Sequence, residues 1–447
     1  MIAIARGMTR RSKILIFLLL VVLVLSGAVW YLARGDTAQL SVEAVTGTKP
    51  RITAPRQQDI PTVDIARVVG WANGAHPIPA AGLAVGEFAR DLDHPRWLYE
   101  LPNGDVLVAE TNSPPRKVNG IADWIMSYLM TRAGAGGPSA DRITLLRDTN
   151  GDGVADLKTP FLTGLSSPFG MALVGDQLYI GNHDALVVVP YKTGDTKITT
   201  IPKKVVALPG GGNHWAKNVV VAPDGQSLFI SVGSSTNIAE NGMGAEAYRA
   251  NILELNLKTK SIRIFATGLR NPVGMAWEPH SKALWTVVNE RDLLGSDLPP
   301  DYLTQVDFGA FYGWPYSYWN GYEDTRVEGR PDLLQYTHQP EYALGPHTAS
   351  LGLAFGSLGS FIDGAFIGQH GSWNRKPPSG YKVAFVPFGP GGLPHAGSAG
   401  AMRDVLTGFL DKNGNAQGRP VGVVARTKGD LLVADDVGNR IWRVSAK

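Results

Sequence analysis

His214 closes the run Gly210-Gly211-Gly212-Asn213 and opens onto Trp215-Ala216-Lys217-Asn218. Imidazole titrates near neutrality, so a histidine held in place can take a proton from a hydroxyl or a hydrated aldehyde. Three glycines let the backbone approach a neighbour closely and adopt positive φ. Taken alone, such a histidine reads as packing or as capping a turn. Its company changes that reading. Other polar signatures stand at comparable places along the chain: His94, Ser167, Arg270 with Asn271, His347 and Arg419. Gathered together, a set rich in His, Arg and Asn suits an anionic ligand better than a hydrolytic metal centre, which would need several carboxylates.

The elements that must position these residues repeat. Each signature precedes a short apolar stretch, then a turn, then a second apolar stretch. After His214 comes Val219-Val220-Val221, the turn Ala222-Pro223-Asp224-Gly225, and Leu228-Phe229-Ile230-Ser231-Val232. This reads as strand, turn, strand. Comparable pairs follow His94, Ser167, Arg270, His347 and Arg419. Six strand pairs spaced by tens of residues indicate radial repetition. The predicted fold is all-β, a six-bladed β-propeller over residues 85–447, preceded by an N-terminal transmembrane helix. Loops entering the inner strands of a propeller gather at one mouth of its channel, so the signatures are expected to meet there.

Composition agrees. At 44% hydrophobic and 18% charged the chain is globular, and a net charge of +3 over 447 residues gives no argument for nucleic acid. With no cysteine there is no disulfide, no thiolate metal site and no haem-attachment motif. Arg6, Arg10, Arg11 and Lys13 precede an uncharged stretch from Ile14 to Ala33. That length predicts an uncleaved membrane anchor over residues 1–34, with the basic flank in the cytoplasm and the body exported to a bacterial periplasm. Residues 35–84 read as a linker and lead-in.

One loop suggests a metal. Asp148, Asn150, Asp152 and Asp156 place oxygens at positions 1, 3, 5 and 9 of a calcium loop, with Gly153 at position 6. Position 12 is Thr159 rather than Glu, and the alternative is an Asp/Gly-rich hairpin turn.

Six stretches taken in order, GGGNHWAKN, GLRNPVGMAWEP, VVNERD, FGAFYGWPY, GQHGSWNR and GRPVGVVA, carry a resemblance. The sequence resembles the quinoprotein sugar dehydrogenases of soluble glucose dehydrogenase type, most of all their L-sorbosone dehydrogenase-like branch, over roughly residues 85–445. The resemblance implies pyrroloquinoline quinone (PQQ) lying across the channel mouth with Ca²⁺. It makes His214 the base for the C1 hydroxyl proton and places Arg270, with Asn271, on the quinone oxygens. Tyr312 and Trp314 match a wall of the pocket, and Arg375 and Arg419 match the holders of the cofactor carboxylates. Backbone carbonyls of Arg291, Asp292 and Leu293 match the calcium ligands, although the family often has a Gly-Pro pair there. Two further positions depart from the family: Asn213 replaces an aspartate, and Val421 replaces a second arginine.

What the resemblance implies is oxidation of an aldose or aldosone at C1, with electrons passing to an external cytochrome or membrane quinone. Two alternatives remain open at this point: a metal-dependent propeller lactonase, and a non-catalytic propeller that binds sugars or proteins.

Overall fold

The computed structural model describes residues 9–33, 35–115, 118–319 and 321–447. Arg6 and residue 34, both part of the predicted anchor, lie outside the described residues.

Six antiparallel sheets form the blades. Their inner strands are Pro95–Glu100, Met171–Val174, Val219–Val221, Pro272–Trp277, Ser350–Leu358 and Pro420–Ala425. Each follows one of the six polar signatures, and each pairs with a second strand running back towards the same end. In blades 1, 3, 4 and 6 those second strands are buried along their whole length, for instance Val106–Glu110 and Leu284–Val288. They are covered on both faces by neighbouring blades, so they read as continuous apolar runs rather than as alternating ones. Outer strands such as Lys203–Ala207 are half exposed. Glycine sets how near the last two blades approach: a Cβ on Gly352 would lie 2.0 Å from the Val421 carbonyl oxygen.

The ring closes by combining chain ends. Leu83–Ala89 pairs with Arg440–Ala446 and completes blade 6. Residues between 35 and 84 do not hang free. Thr46–Gly47 extends blade 4 and Ile78–Pro79 extends blade 5. Gln39 N donates to Asp297 Oδ2 and Gln58 N donates to the Leu293 carbonyl, so this segment braces the 292–297 loop from outside.

The predicted spanning helix needs correction. Arg10–Ala33 is helical, but among the described residues no helix is long and apolar enough to cross a membrane. Arg10 and Arg11 open it and Lys13 completes its first turn.

Candidate active site

His214 is aimed by two loops zipped together. Gly212 has φ +77, and a Cβ there would lie 2.8 Å from Ser235 Cα, so the close approach requires glycine. Beside it Asn213 N donates to the Ser235 carbonyl at 2.7 Å. His214 Nδ1 then lies 2.9 Å from the Ser234 carbonyl oxygen and 3.0 Å from Ser234 Oγ. A carbonyl only accepts, so Nδ1 carries the hydrogen and Nε2 is the basic nitrogen. Ser234 Oγ gives its own hydrogen to the Thr236 carbonyl at 2.6 Å, which leaves it an acceptor towards Nδ1.

The same short loop orients Arg270. Ser234 N donates to the Arg270 carbonyl at 2.7 Å. The buried guanidinium donates from Nε to the Asn237 carbonyl (3.1 Å), from Nη2 to Asn237 Oδ1 (2.8 Å), and from Nη1 to the carbonyls of Asn289 (3.1 Å) and Glu290 (2.6 Å). Trp314 Nε1 donates to the Asn237 carbonyl at 3.0 Å. Asn271 is buried next to His214: a Cβ on Gly233 would stand 2.5 Å from both Asn271 Oδ1 and His214 Cβ. The sequence reading therefore placed His214, Arg270, Asn271 and Trp314 in what is one connected group, and it missed Ser234 and Asn237, which connect them.

Asp292 adds a carboxylate on the far side of Arg270. Its Oδ2 lies 3.7 Å from Arg270 Nη2, and its Oδ1 accepts from Asn374 Nδ2 at 2.6 Å and lies 3.7 Å from His347 Nδ1. Burial would raise this carboxyl, but His347, Arg270 and Asn374 hold it below the usual range. His347 Nε2 donates to the Gly295 carbonyl at 2.9 Å. Glu290, fully buried, is pushed up to about 7 by burial, against the pull of Arg270.

A second group forms where the ring closes. Asp436 Oδ2 receives Arg96 Nη1 at 2.6 Å and His370 Nε2 at 2.8 Å, with His94 Nε2 at 3.4 Å. The Arg96 guanidinium lies 5.9 Å from the Trp215 ring, next in sequence to His214, and its buried Nε has no hydrogen-bond partner among the described residues. His94, Ser167 and His347 all sit in the left-handed region, with φ of 53, 42 and 58. Such backbone costs about 1–3 kcal/mol at each residue and is characteristic of sites that position groups. Ser167 N is held by Asp141 Oδ1 at 2.8 Å.

His370 supplies a pH prediction. Burial, with the Arg419 guanidinium nearby, pushes its imidazole down to about 3. The unfolded chain takes up this proton below about 6.5 and the folded protein does not, so stability is lost as pH falls from about 6.5 towards 3. His370→Gln retains a donor for Asp436. Its melting temperature should fall less steeply than the parent's between pH 7 and pH 4, as read by calorimetry on both proteins.

The other expected site residues make contacts of their own. Tyr312 turns its hydroxyl outward to the Gln305 carbonyl at 2.5 Å. Arg375 donates to the carbonyls of Ser296 (2.9 Å) and Pro377 (2.8 Å) and braces the 292–297 loop. Arg419 donates to the carbonyls of His370 (3.0 Å), Gly371 (2.8 Å) and Ala133 (3.2 Å). Arg291 is buried on Asp324, and its Nε donates to the Asp292 carbonyl at 2.9 Å. The Leu293 carbonyl accepts from Gln58 N at 3.1 Å. In the loop from Asp148 to Asp156 the carboxylates bind the turn itself: Asp148 accepts from Gly151 N and Gly153 N, Asp152 from Val154 N and Asn150 Nδ2, and Asp156 from Thr149 N and Oγ1. Among the described residues no three His, Asp or Glu side chains gather to hold a metal.

Comparison with known proteins bears on the whole chain. Residues 140–300 and 332–447 match the family model described as TrAA12-like. A pyrroloquinoline quinone-dependent pyranose dehydrogenase of Coprinopsis cinerea is 29% identical over 285 residues, covering 51% of this chain and 39% of that protein. The aldose sugar dehydrogenase YliI of Escherichia coli is 28% identical over 159 residues, covering 32% of this chain and 41% of that protein. The chain thus spans about two-fifths of the length of these two relatives. The structure is similar in fold to the holo form of the pyranose dehydrogenase PQQ domain from Coprinopsis cinerea, with a TM-score of 0.66 and 21% identity over 86% of this chain and 100% of that one.

Proposed function

The chain belongs to the TrAA12-like family, and from that premise we propose that it is a quinoprotein oxidoreductase that oxidises an aldose or an aldosone, such as a sorbosone-like sugar, at C1. The observation that carries the reading is the fixed tautomer of His214: the Ser234 carbonyl holds the hydrogen on Nδ1 and leaves Nε2 to accept a proton, within one hydrogen-bonded group with Arg270.

The residues present fit an anionic quinone. Arg270, Asn271, Arg96, His94 and Trp215 stand on or beside the strand-entry loops, and among the described residues the buried Arg96 Nε has no hydrogen-bond partner. We place a carboxylate-holding role on Arg96 beside Arg375 and Arg419, whose described donors meet backbone carbonyls as those of Arg270 do. PQQ, when bound, would supply the hydride acceptor that side chains cannot provide. Within the chain itself, His214 Nε2 takes the C1 hydroxyl proton. Arg270 presents fixed positive charge where negative charge grows, at no cost of reorganisation because four carbonyl and amide oxygens already hold it. Asn271 and Trp314 shape the wall and keep water out. The carbonyls of Asp292 and Leu293 each accept an N–H bond and keep a second lone pair that would hold Ca²⁺ when it is bound, and no step here is routed through a metal.

Purified protein incubated with PQQ should reduce an artificial dye on addition of an aldose, and should not do so without PQQ. Hydrolysis of sugar lactones with no dye reduction would favour the lactonase reading instead.

We also propose that the body is exported, stays attached to a membrane through its N-terminal helix, and passes electrons to an external cytochrome or quinone. The support is the row of exposed apolar side chains, including Leu15, Phe17, Leu23 and Val24, behind a basic first turn. Removal of residues 1–35 should release dye-reducing activity into the soluble fraction. Activity that still sediments with membranes after that truncation would place the attachment elsewhere.

A further inference from the structure

Glu246 lies outside every motif considered so far, yet it is buried at 4% exposure directly behind the His214 loop. It sits at the end of the short turn Met243–Glu246. Its Oε2 accepts from Ser235 N at 2.6 Å, and its Oε1 accepts from Thr236 N at 3.1 Å and Thr236 Oγ1 at 2.9 Å. Ser235 N and the Ser234 carbonyl belong to one peptide unit. The chain of contacts therefore runs from the Glu246 carboxylate through the 234–235 peptide to His214 Nδ1–H.

We propose that Glu246 is a positioning residue that raises the basicity of His214 through this peptide. A carboxylate that accepts the peptide N–H pushes electron density through the amide onto the opposite carbonyl oxygen and makes it a stronger acceptor, because bonds in such a chain polarise one another. A stronger acceptor on Nδ1–H favours the imidazolium and makes Nε2 the better base. This is the effect of a carboxylate bonded directly to a histidine, relayed across one peptide. Asn213, the residue adjoining the base, is uncharged and cannot exert it. The inference rests on the reading of His214 as the base, and it deepens that reading.

Other charged groups around the loop mostly oppose protonation. Arg249 donates to the carbonyls of Gly210 (2.5 Å) and Gly211 (3.2 Å). Lys217, buried with its Nζ on the Trp215 carbonyl, is pushed down to about 7 by burial and by Arg249. Arg270 is linked through Ser234 N. Asp184 packs at Gly210 with a half-exposed side chain, and Asp292 is taken up by Arg270, Asn374 and His347. Among the described residues, Glu246 is the carboxylate joined to His214 by this hydrogen-bonded chain.

The test is the titration of the His214 ring in PQQ-free protein, followed by histidine-selective NMR and assigned with His214→Asn. Glu246→Gln should move the midpoint to lower pH. In PQQ-loaded protein the acid limb of kcat/KM should move the same way, with kcat about tenfold lower. Glu246→Asp, which keeps the charge but draws it back, should shift the midpoint less and serves if Glu246→Gln fails to fold. Thr236→Ala takes one donor from Glu246 Oε1 and leaves the bond from Ser235 N to Glu246 Oε2 in place, so it should lower the melting temperature and move the midpoint less than Glu246→Gln does. A midpoint unmoved in both Glu246 variants, or moved equally by Thr236→Ala, overturns the proposal. Because the ring titration needs no turnover, an inactive parent protein would count against the proposed reaction and not against this relay.

Discussion

His214→Asn should retain the fold and lower turnover by about 10²–10⁴-fold, the usual contribution of a positioned base, equivalent to about 3–5 kcal/mol of barrier. The ring is half-buried and its Nδ1 is bonded to Ser234, and losing that hydrogen bond should cost about 1 kcal/mol. PQQ binding should be close to that of the parent, because Arg270, Asn271 and Arg96 are untouched. Melting temperature, PQQ affinity and the rate of cofactor reduction measured on one preparation check this. A variant that is less stable yet turns over normally per folded molecule would make His214 a packing residue.

Arg270→Lys should be damaging on two counts. The guanidinium satisfies three backbone carbonyls and the Asn237 side chain at once, and lysine cannot reproduce that planar fork. Leaving a buried carbonyl unsatisfied costs about 1–3 kcal/mol, so the melting temperature should fall. Turnover should fall further, by about 10²–10³-fold, as when one fixed donor is taken from a site where charge develops. The loop from Ser234 to Asn237 would also lose an anchor, so the His214 geometry should loosen with it. Parent-like kinetics in a stable Arg270→Lys protein would remove Arg270 from the site.

The two predictions depend on residues that differed in how readable they were. Six polar signatures ahead of six strand pairs were visible because each blade repeats one pattern, and the inner strands begin where that pattern placed them. Less visible were the residues that leave the second strands. In an antiparallel pair those strands return to the same end, so Ser234 to Asn237, Asn289 with Glu290, His370, and Asp435 with Asp436 also arrive at the mouth. A polar run directly after a buried apolar strand was the available signal for them. Glu246 carried no comparable signal, because two of its three donors are backbone amides that a side-chain pattern does not reveal.

Arg375 and Arg419 show the opposite limit. Their residue type suits a carboxylate, but whether a guanidinium faces the channel or a backbone carbonyl is decided by loops from distant parts of the chain, such as the one ending at Ala133. The segment from 35 to 84 looked like a linker because it lacks periodicity. Its contacts include two-residue edge strands, single bonds to the 292–297 loop and isolated side-chain contacts such as Trp71 Nε1 to Asp435 Oδ2, too scattered to leave a pattern. In the Asp148 loop, ligand spacing and turn chemistry use the same residues, and the structure spends the carboxylates on the turn.

The most direct test uses PQQ-loaded protein without dye or oxygen, mixed with an aldose carrying deuterium at C1. Cofactor absorbance and product mass are followed through a single turnover. The account predicts one equivalent of cofactor reduced per sugar oxidised, loss of the C1 deuterium from the product, and slower reduction than with unlabelled sugar. Protein that binds PQQ yet leaves it oxidised, or a product that keeps its C1 deuterium, would contradict it.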